Sequence, residues 1–131
     1  MRYLSWKEFD FSVDFISKLC YDKTFSGVYG LPRGGLCLAV ALSHSLQIPL
    51  QEHPQPNSLI IDDIYETGKT LNKFRYIEDI TVIVWISKIK PEWWKTVEIV
   101  DSDEWIVFPW ENYLFASKDE ENYRRSRLSA K

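Results

Sequence analysis

Apolar side chains at Trp6, Phe9, Val13, Ile16 and Cys20 recur at spacings of three and four, which lines them along one stripe of a helix. Just ahead of them, Ser5-Trp6-Lys7-Glu8 has the form of a capping box, so an amphipathic first helix with its stripe toward the core is predicted. Ser26 to Gly30 reads as a short strand running into the turn Leu31-Pro32-Arg33-Gly34-Gly35, and Leu36 to Leu46 has the apolar density of a packed helix. Pro49 to Ser58 carries three prolines and several polar residues, which predicts a loop. Leu59-Ile60-Ile61 then reads as a buried parallel strand ended by Asp62 and Asp63. Thr67-Gly68-Lys69-Thr70 is expected to open a short helix through about Tyr76, and Thr81 to Ser87, rich in β-branched residues, is a second buried strand.

Helices and strands alternating in this way predict an α/β fold: an open, mostly parallel twisted sheet with right-handed crossovers, helices on its faces, and ligands beyond the carboxyl ends of the strands. Both glycine-bearing turns fall on that edge. The final third changes character. Val97 to Val100 and Trp105 to Phe108 are short strand candidates, and residues 117–131 form a charged end expected to be mobile.

Composition narrows the function. A chain of 131 residues, 45% hydrophobic and 27% charged, fits one globular domain, here 1–131, with a real core. A net charge of -3 gives no general attraction to nucleic acid or anionic membrane, so phosphate binding must be built locally, which favours a small anionic ligand. Cys20 and Cys37 sit in apolar helical patterns without metal-type spacing, which fits a reducing compartment. No apolar run approaches the roughly 20 residues that span a bilayer, and charged residues follow the first few, so a cytoplasmic protein is expected. His44 and His53 have no partner at metal or triad spacing and are assigned no role.

The densest chemistry runs from Leu59 to Leu71: a buried strand, paired acids, then a turn bearing threonine and glycine. Amides at a helix N-terminus point at an anion, Gly68 allows close approach, and the Thr67 and Thr70 hydroxyls add donors, so a monophosphate would fit. Asp62 and Asp63 can accept hydrogen bonds from vicinal ribose hydroxyls and hold a hydrated magnesium ion, which takes only one or two carboxylates. Gly68-Lys69-Thr70 matches the end of a nucleotide-hydrolase P-loop, but the first glycine of that motif would fall at residue 63, which is Asp63.

The segment resembles the phosphoribosyl pyrophosphate signature of type I phosphoribosyltransferases, a hydrophobic strand followed by two acids and Thr-Gly-x-Thr. The resemblance covers residues 26 to 111. It implies that Asp62 and Asp63 contact the ribose, that residues 66 to 70, with Thr67, Gly68, Lys69 and Thr70, wrap the 5-phosphate, and that Glu66 takes the position where the family usually has a catalytic aspartate. Leu31-Pro32-Arg33-Gly34-Gly35 is similar to the family's pyrophosphate loop, with Arg33, Gly34 and Gly35 meeting the leaving group.

Lys88, Trp105, Ile106 and Phe108-Pro109-Trp110-Glu111 resemble the xanthine-guanine branch, which implies a 6-oxopurine acceptor. Trp105 would stack on the base, the Ile106 backbone would read its edge, Lys88 would donate to the 6-oxo group, and Glu111 would assist the metal on the pyrophosphate side. The family's reaction passes through an oxocarbenium-like state, for which acids beneath the ribose and cations at the pyrophosphate are electrostatic preorganisation. One departure stands out. Family members usually carry a long flexible lid between the two loops, whereas only Gln47 to Ser58 separates the second helix from the next strand. Three functions therefore stay open: a magnesium-dependent purine transferase, a non-catalytic sensor of phosphoribosyl pyrophosphate or a nucleotide, and a transferase for another base or an unusual nitrogen nucleophile. Small-molecule substrates, no nucleic acid or membrane, and a homodimer or higher homo-oligomer are the expected partners, the last from aromatic richness.

Overall fold

A computed structural model describes residues 1–129. The chain forms two compact units, one from Asp10 to Ser102 and a smaller one from Met1–Phe9 together with residues from Asp103 on.

Helix α1 spans Trp6–Cys20, and its start is the predicted capping box. The Glu8 amide donates to Ser5 Oγ at 3.1 Å, and Glu8 Oε1 accepts from the Ser5 amide at 3.0 Å, so two orphan donors are satisfied reciprocally. That backbone bond is the main cause of a Glu8 carboxyl pKa below its ordinary value. The stripe is as expected at Phe9, Ile16 and Cys20, which are buried, while Trp6 is 53% exposed and lies off it.

In the larger unit, strands β2 (Gly27–Gly30), β3 (Leu50–Gln51), β4 (Ser58–Tyr65), β5 (Thr81–Ser87) and β6 (Lys95–Ile99) form one sheet in the order β3-β2-β4-β5-β6, and every pairing is parallel. Strands with neighbours on both sides must be apolar on both faces. Leu59, Ile60 and Ile61 of β4 and Ile83, Val84 and Ile86 of β5 accordingly have no solvent exposure. Fully burying each such side chain is worth about 1.5–3 kcal/mol. Helix α2 (Leu36–Leu46) packs on β2 and β4 with Leu38, Ala39 and Leu42 buried. Ile60, Val82 and Val84 cluster with Leu31, Tyr65, Leu71, Phe74 and Trp94.

Three local expectations are corrected. First, β4 does not end at the acids. It continues to Tyr65, because β5 still offers partners there: Asp62 pairs with Val84, Ile64 with Ile86 and Tyr65 with Ser87. Second, no α-helix follows Thr67-Gly68-Lys69-Thr70. Only a single 3-10 turn, Asn72–Phe74, forms, since ten residues with two buried apolar anchors, Leu71 and Phe74, give little to offset helix nucleation. Third, the proline-rich segment holds the short edge strand β3 instead of being all loop.

In the smaller unit, β1 (Arg2–Tyr3) and β7 (Ile106–Val107) pair in parallel, with the Arg2 amide donating to the Trp105 carbonyl at 2.9 Å and the Leu4 amide to the Val107 carbonyl at 2.8 Å. A 3-10 turn, Tyr113–Phe115, leads into helix α3 (Ala116–Ser129). Within the charged end, the Arg124–Glu120 and Arg125–Glu121 pairs, four residues apart, lie at 2.9 Å and 2.6 Å. Arg124 also donates to both carboxylate oxygens of Asp103 at 3.0 and 3.1 Å. Among the described residues no helix is long and apolar enough to cross a membrane, and both cysteines are free thiols.

Candidate functional site

The sheet order places a switch point between β2 and β4. The chain leaves β2 through α2 and returns on one side as β3, then enters β4 on the other side of β2. Connections that diverge from neighbouring strands open a crevice at their carboxyl ends, where open α/β sheets take ligands.

The glycine turn lies at this crevice. Leu31 continues the β2 line, its amide donating to the Ile61 carbonyl at 3.0 Å, and the turn closes when the Gly35 amide donates to the Leu31 carbonyl at 2.8 Å. The Pro32-Arg33 peptide is cis. Arg33 is exposed, Gly34 half-buried and Gly35 buried. Gly34 lies against the carboxylate of Asp63, where any Cβ would collide with both carboxylate oxygens.

Asp62 and Asp63 are both half-buried. The Asp63 amide donates to Asp62 Oδ1 at 2.9 Å. Burial raises the Asp62 pKa, and it pushes the Asp63 carboxyl well above the ordinary range, with the negative charge of Asp62 adding to the effect. Two carboxylates held this way favour anything that brings hydroxyl donors or positive charge to them.

Beyond β4 the chain turns through Glu66, which is half-buried, and through Thr67, Lys69 and Thr70, which are exposed. Gly68 is buried at φ +79, a conformation that favours glycine. The Lys69 amide reaches Thr67 Oγ1 at 3.4 Å and the Asn72 amide donates to the Gly68 carbonyl at 2.8 Å. The cradle is thus a loop closed on itself and not a helix N-terminus. Lys88 follows β5 on the same edge; its amide donates to the Tyr65 carbonyl at 2.8 Å and its Nζ to the Ser102 carbonyl at 2.9 Å.

The remaining predicted residues belong to the smaller unit. Trp105 is half-buried with its ring 5.3 Å from that of Tyr123, tilted by 50°, and its buried indole N–H has no acceptor among the described residues. The ladder with β1 uses the carbonyls of Trp105 and Val107, so by strand alternation the amide and carbonyl of Ile106 point to the opposite edge. Glu111 Oε2 accepts from the Phe108 amide at 2.7 Å and so closes its own turn.

Sequence reasoning overlooked Tyr65. Its ring stacks on Trp94 with centroids 3.6 Å apart and 12° between planes, and its hydroxyl donates to Asn72 Oδ1 at 3.3 Å. An aromatic residue closing the strand after Ile64 was the available signal, but its partner lies on a distant loop that no local pattern connects to it.

No protein-family model matches the sequence, and no curated protein matches it. Solved structures do. A purine phosphoribosyltransferase from Pyrococcus horikoshii Ot3 has a TM-score of 0.70 at 26% identity, over 85% of this chain and 93% of that one. The xanthine-guanine-hypoxanthine phosphoribosyltransferase of Helicobacter pylori has a TM-score of 0.63 at 17% identity, over 90% and 98%. A hypothetical protein from Neisseria gonorrhoeae with bound ppGpp gives 0.64 at 16% identity, over 99% and 98%. Orotate and adenine phosphoribosyltransferases are also among the neighbours. With its parallel sheet, its switch point and its two glycine-bearing turns on one edge, the chain has the type I phosphoribosyltransferase fold.

Proposed function

We propose that the protein transfers ribose 5-phosphate from 5-phosphoribosyl 1-pyrophosphate to a purine, with 6-oxopurines favoured, and releases pyrophosphate. The observation that carries this reading is the contact between Gly34 and the Asp63 carboxylate at the switch point, which joins a turn suited to pyrophosphate to acids suited to ribose. The purine preference is supported by the structural neighbours and by the resemblance at Lys88, Trp105 and Ile106.

In this reading the exposed Thr67, Lys69 and Thr70 hold the 5-phosphate, and Asp62 and Asp63 take the ribose hydroxyls. A nitrogen of the base bonds to ribose C1 as the bond from C1 to the pyrophosphate oxygen breaks, and the leaving group departs with the electron pair. The two acids lower the energy of positive charge growing on the sugar, and Arg33 with the amides near Gly34 receives the negative charge of the pyrophosphate. Glu66, at the head of the loop, takes the proton lost by the base.

Among the described residues no three His, Cys, Asp or Glu side chains converge. Adjacent Asp62 and Asp63, whose pKa values are raised by burial, fit an ion that keeps most of its water and binds one or two carboxylates. Magnesium held by Asp62 and Asp63 would supply neutralising charge for the leaving group.

The test is to incubate the protein with phosphoribosyl pyrophosphate, magnesium and, separately, xanthine, guanine, hypoxanthine, adenine, uracil and orotate, and to read the products by mass spectrometry. The expected product is the monophosphate of a 6-oxopurine. No nucleotide from folded protein with any base would overturn the transferase. A second reading, a sensor that binds without turnover, draws on the short span between α2 and β4 and on the neisserial neighbour with bound ppGpp. It predicts binding of phosphoribosyl pyrophosphate or ppGpp with no product.

A further inference from the structure

The loop after β4 has to hold Gly68 in a left-handed conformation with no α-helix behind it. What stands behind it is an aromatic brace. The Tyr65 hydroxyl occupies the space in which a Cβ at residue 68 would stand, donates to Asn72 Oδ1 at 3.3 Å and hydrogen-bonds the Trp93 side chain. The Tyr65 ring stacks on Trp94 at 3.6 Å, and the Trp94 indole N–H donates to Ser87 Oγ at 3.1 Å. Ser87 is the residue of β5 that pairs in register with Tyr65, so the stack is anchored to the same rung of the sheet that it covers. Trp93 meets Tyr65 edge-on with centroids at 6.4 Å, and the Arg75 guanidinium lies 5.8 Å from the Trp93 ring centre.

We propose that Tyr65 is a positioning residue for the 5-phosphate: its hydroxyl, fixed by Trp94 from behind, sets the curvature of the loop so that the exposed Thr67, Lys69 and Thr70 face one anion. This rests on the reading of the site as a phosphoribosyl site. The ring itself is buried, with 4% exposure, and touches no substrate. Its influence runs through two contacts, Gly68 and Asn72, on either side of Lys69 and Thr70.

Three variants separate positioning from simple structural support. Tyr65→Phe keeps the stack and removes the hydroxyl, Asn72→Ala removes its acceptor, and Asn72→Asp keeps an acceptor in place. Losing one partly buried hydrogen bond corresponds to about a three- to tenfold change in an equilibrium constant. The expected result is that Tyr65→Phe and Asn72→Ala raise the Kd for ribose 5-phosphate and the KM for phosphoribosyl pyrophosphate by that factor and leave kcat and the KM for the base unchanged, while Asn72→Asp, which keeps the acceptor, shows wild-type exchange in residues 66–72 even though its added negative charge weakens phosphate binding. Hydrogen exchange of the ligand-free protein is the second measurement, with faster exchange confined to residues 66–72 in both damaged variants. Affinities within twofold of wild type, or unchanged exchange in that segment, would overturn the positioning role whatever the site binds. If the wild-type chain binds neither phosphate ligand, the site reading fails and the ligand half of this proposal fails with it, while the exchange data judge the brace independently.

Discussion

The carboxylate of Asp63 occupies the space that a side chain at Gly34 would need. Two residues far apart in sequence thereby constrain each other: the acid stands where it does because residue 34 has no Cβ, and the turn passes over the strand at the rung that carries the acid.

Gly34→Ala tests that constraint directly. A methyl group here overpacks the junction, and such insertions cost about 1–3 kcal/mol. The expected outcome is a lower Tm and at least roughly tenfold weaker binding of phosphoribosyl pyrophosphate, a factor equivalent to about 1.4 kcal/mol. In an Asp63→Ala background the three atoms nearest the added methyl are gone, so its cost in Tm should shrink, a coupling that a double-mutant cycle measures.

Asp63→Asn should separate stability from binding. The folded-state pKa of Asp63 is raised by burial and by Asp62, so its contribution to stability is present in full below the unfolded carboxylate pKa and is lost as pH rises through the folded value. The neutral amide avoids that loss. Melting curves across pH should therefore show the variant more stable than wild type at neutral pH, with the gap closing as pH falls toward about 4, while ligand binding drops sharply at every pH. A gap that widens on acidification would contradict the assigned cause.

At Glu66, the charge and the length of the side chain can be examined separately. Loss of a general base typically lowers the rate by about 10²- to 10⁴-fold. Glu66→Gln should show a fall of that size in kcat, with the KM for phosphoribosyl pyrophosphate little changed. Glu66→Asp, which restores the residue usual in the family this chain resembles, should remain active. Equal activity in the glutamine variant would remove Glu66 from the chemistry.

The strands that carry the site were legible because burial on both faces writes itself as unbroken runs such as Leu59-Ile60-Ile61 and Val82-Ile83-Val84. The first helix was legible down to its cap, because Ser5 and Glu8 are a local code read within one turn. What failed was decided at a distance. Asp62 to Tyr65 look like a strand end until β5 is known to continue beside them, and Thr67 to about Tyr76 look like a helix although only Leu71 and Phe74 are buried apolar anchors to offset its nucleation. The charged end offered no apolar stripe, so nothing in its pattern pointed to the Arg124 bonds with Asp103 and Glu120 that accompany helix α3.

The segment between α2 and β4 has a further consequence. The Pro49 carbonyl accepts from the Val28 amide at 2.9 Å, Gln51 accepts from Ser58 Oγ at 2.6 Å and donates to Ser26 Oγ at 3.2 Å, and Ser26 Oγ donates to the Pro56 carbonyl at 2.9 Å. The segment is a belt, buckled along the sheet edge by its own polar groups. Freeing it would mean unzipping an edge strand. The belt is therefore a fixed part of the frame, tied to Ser26 and Ser58 at the amino ends of β2 and β4, opposite the edge where the proposed reaction takes place.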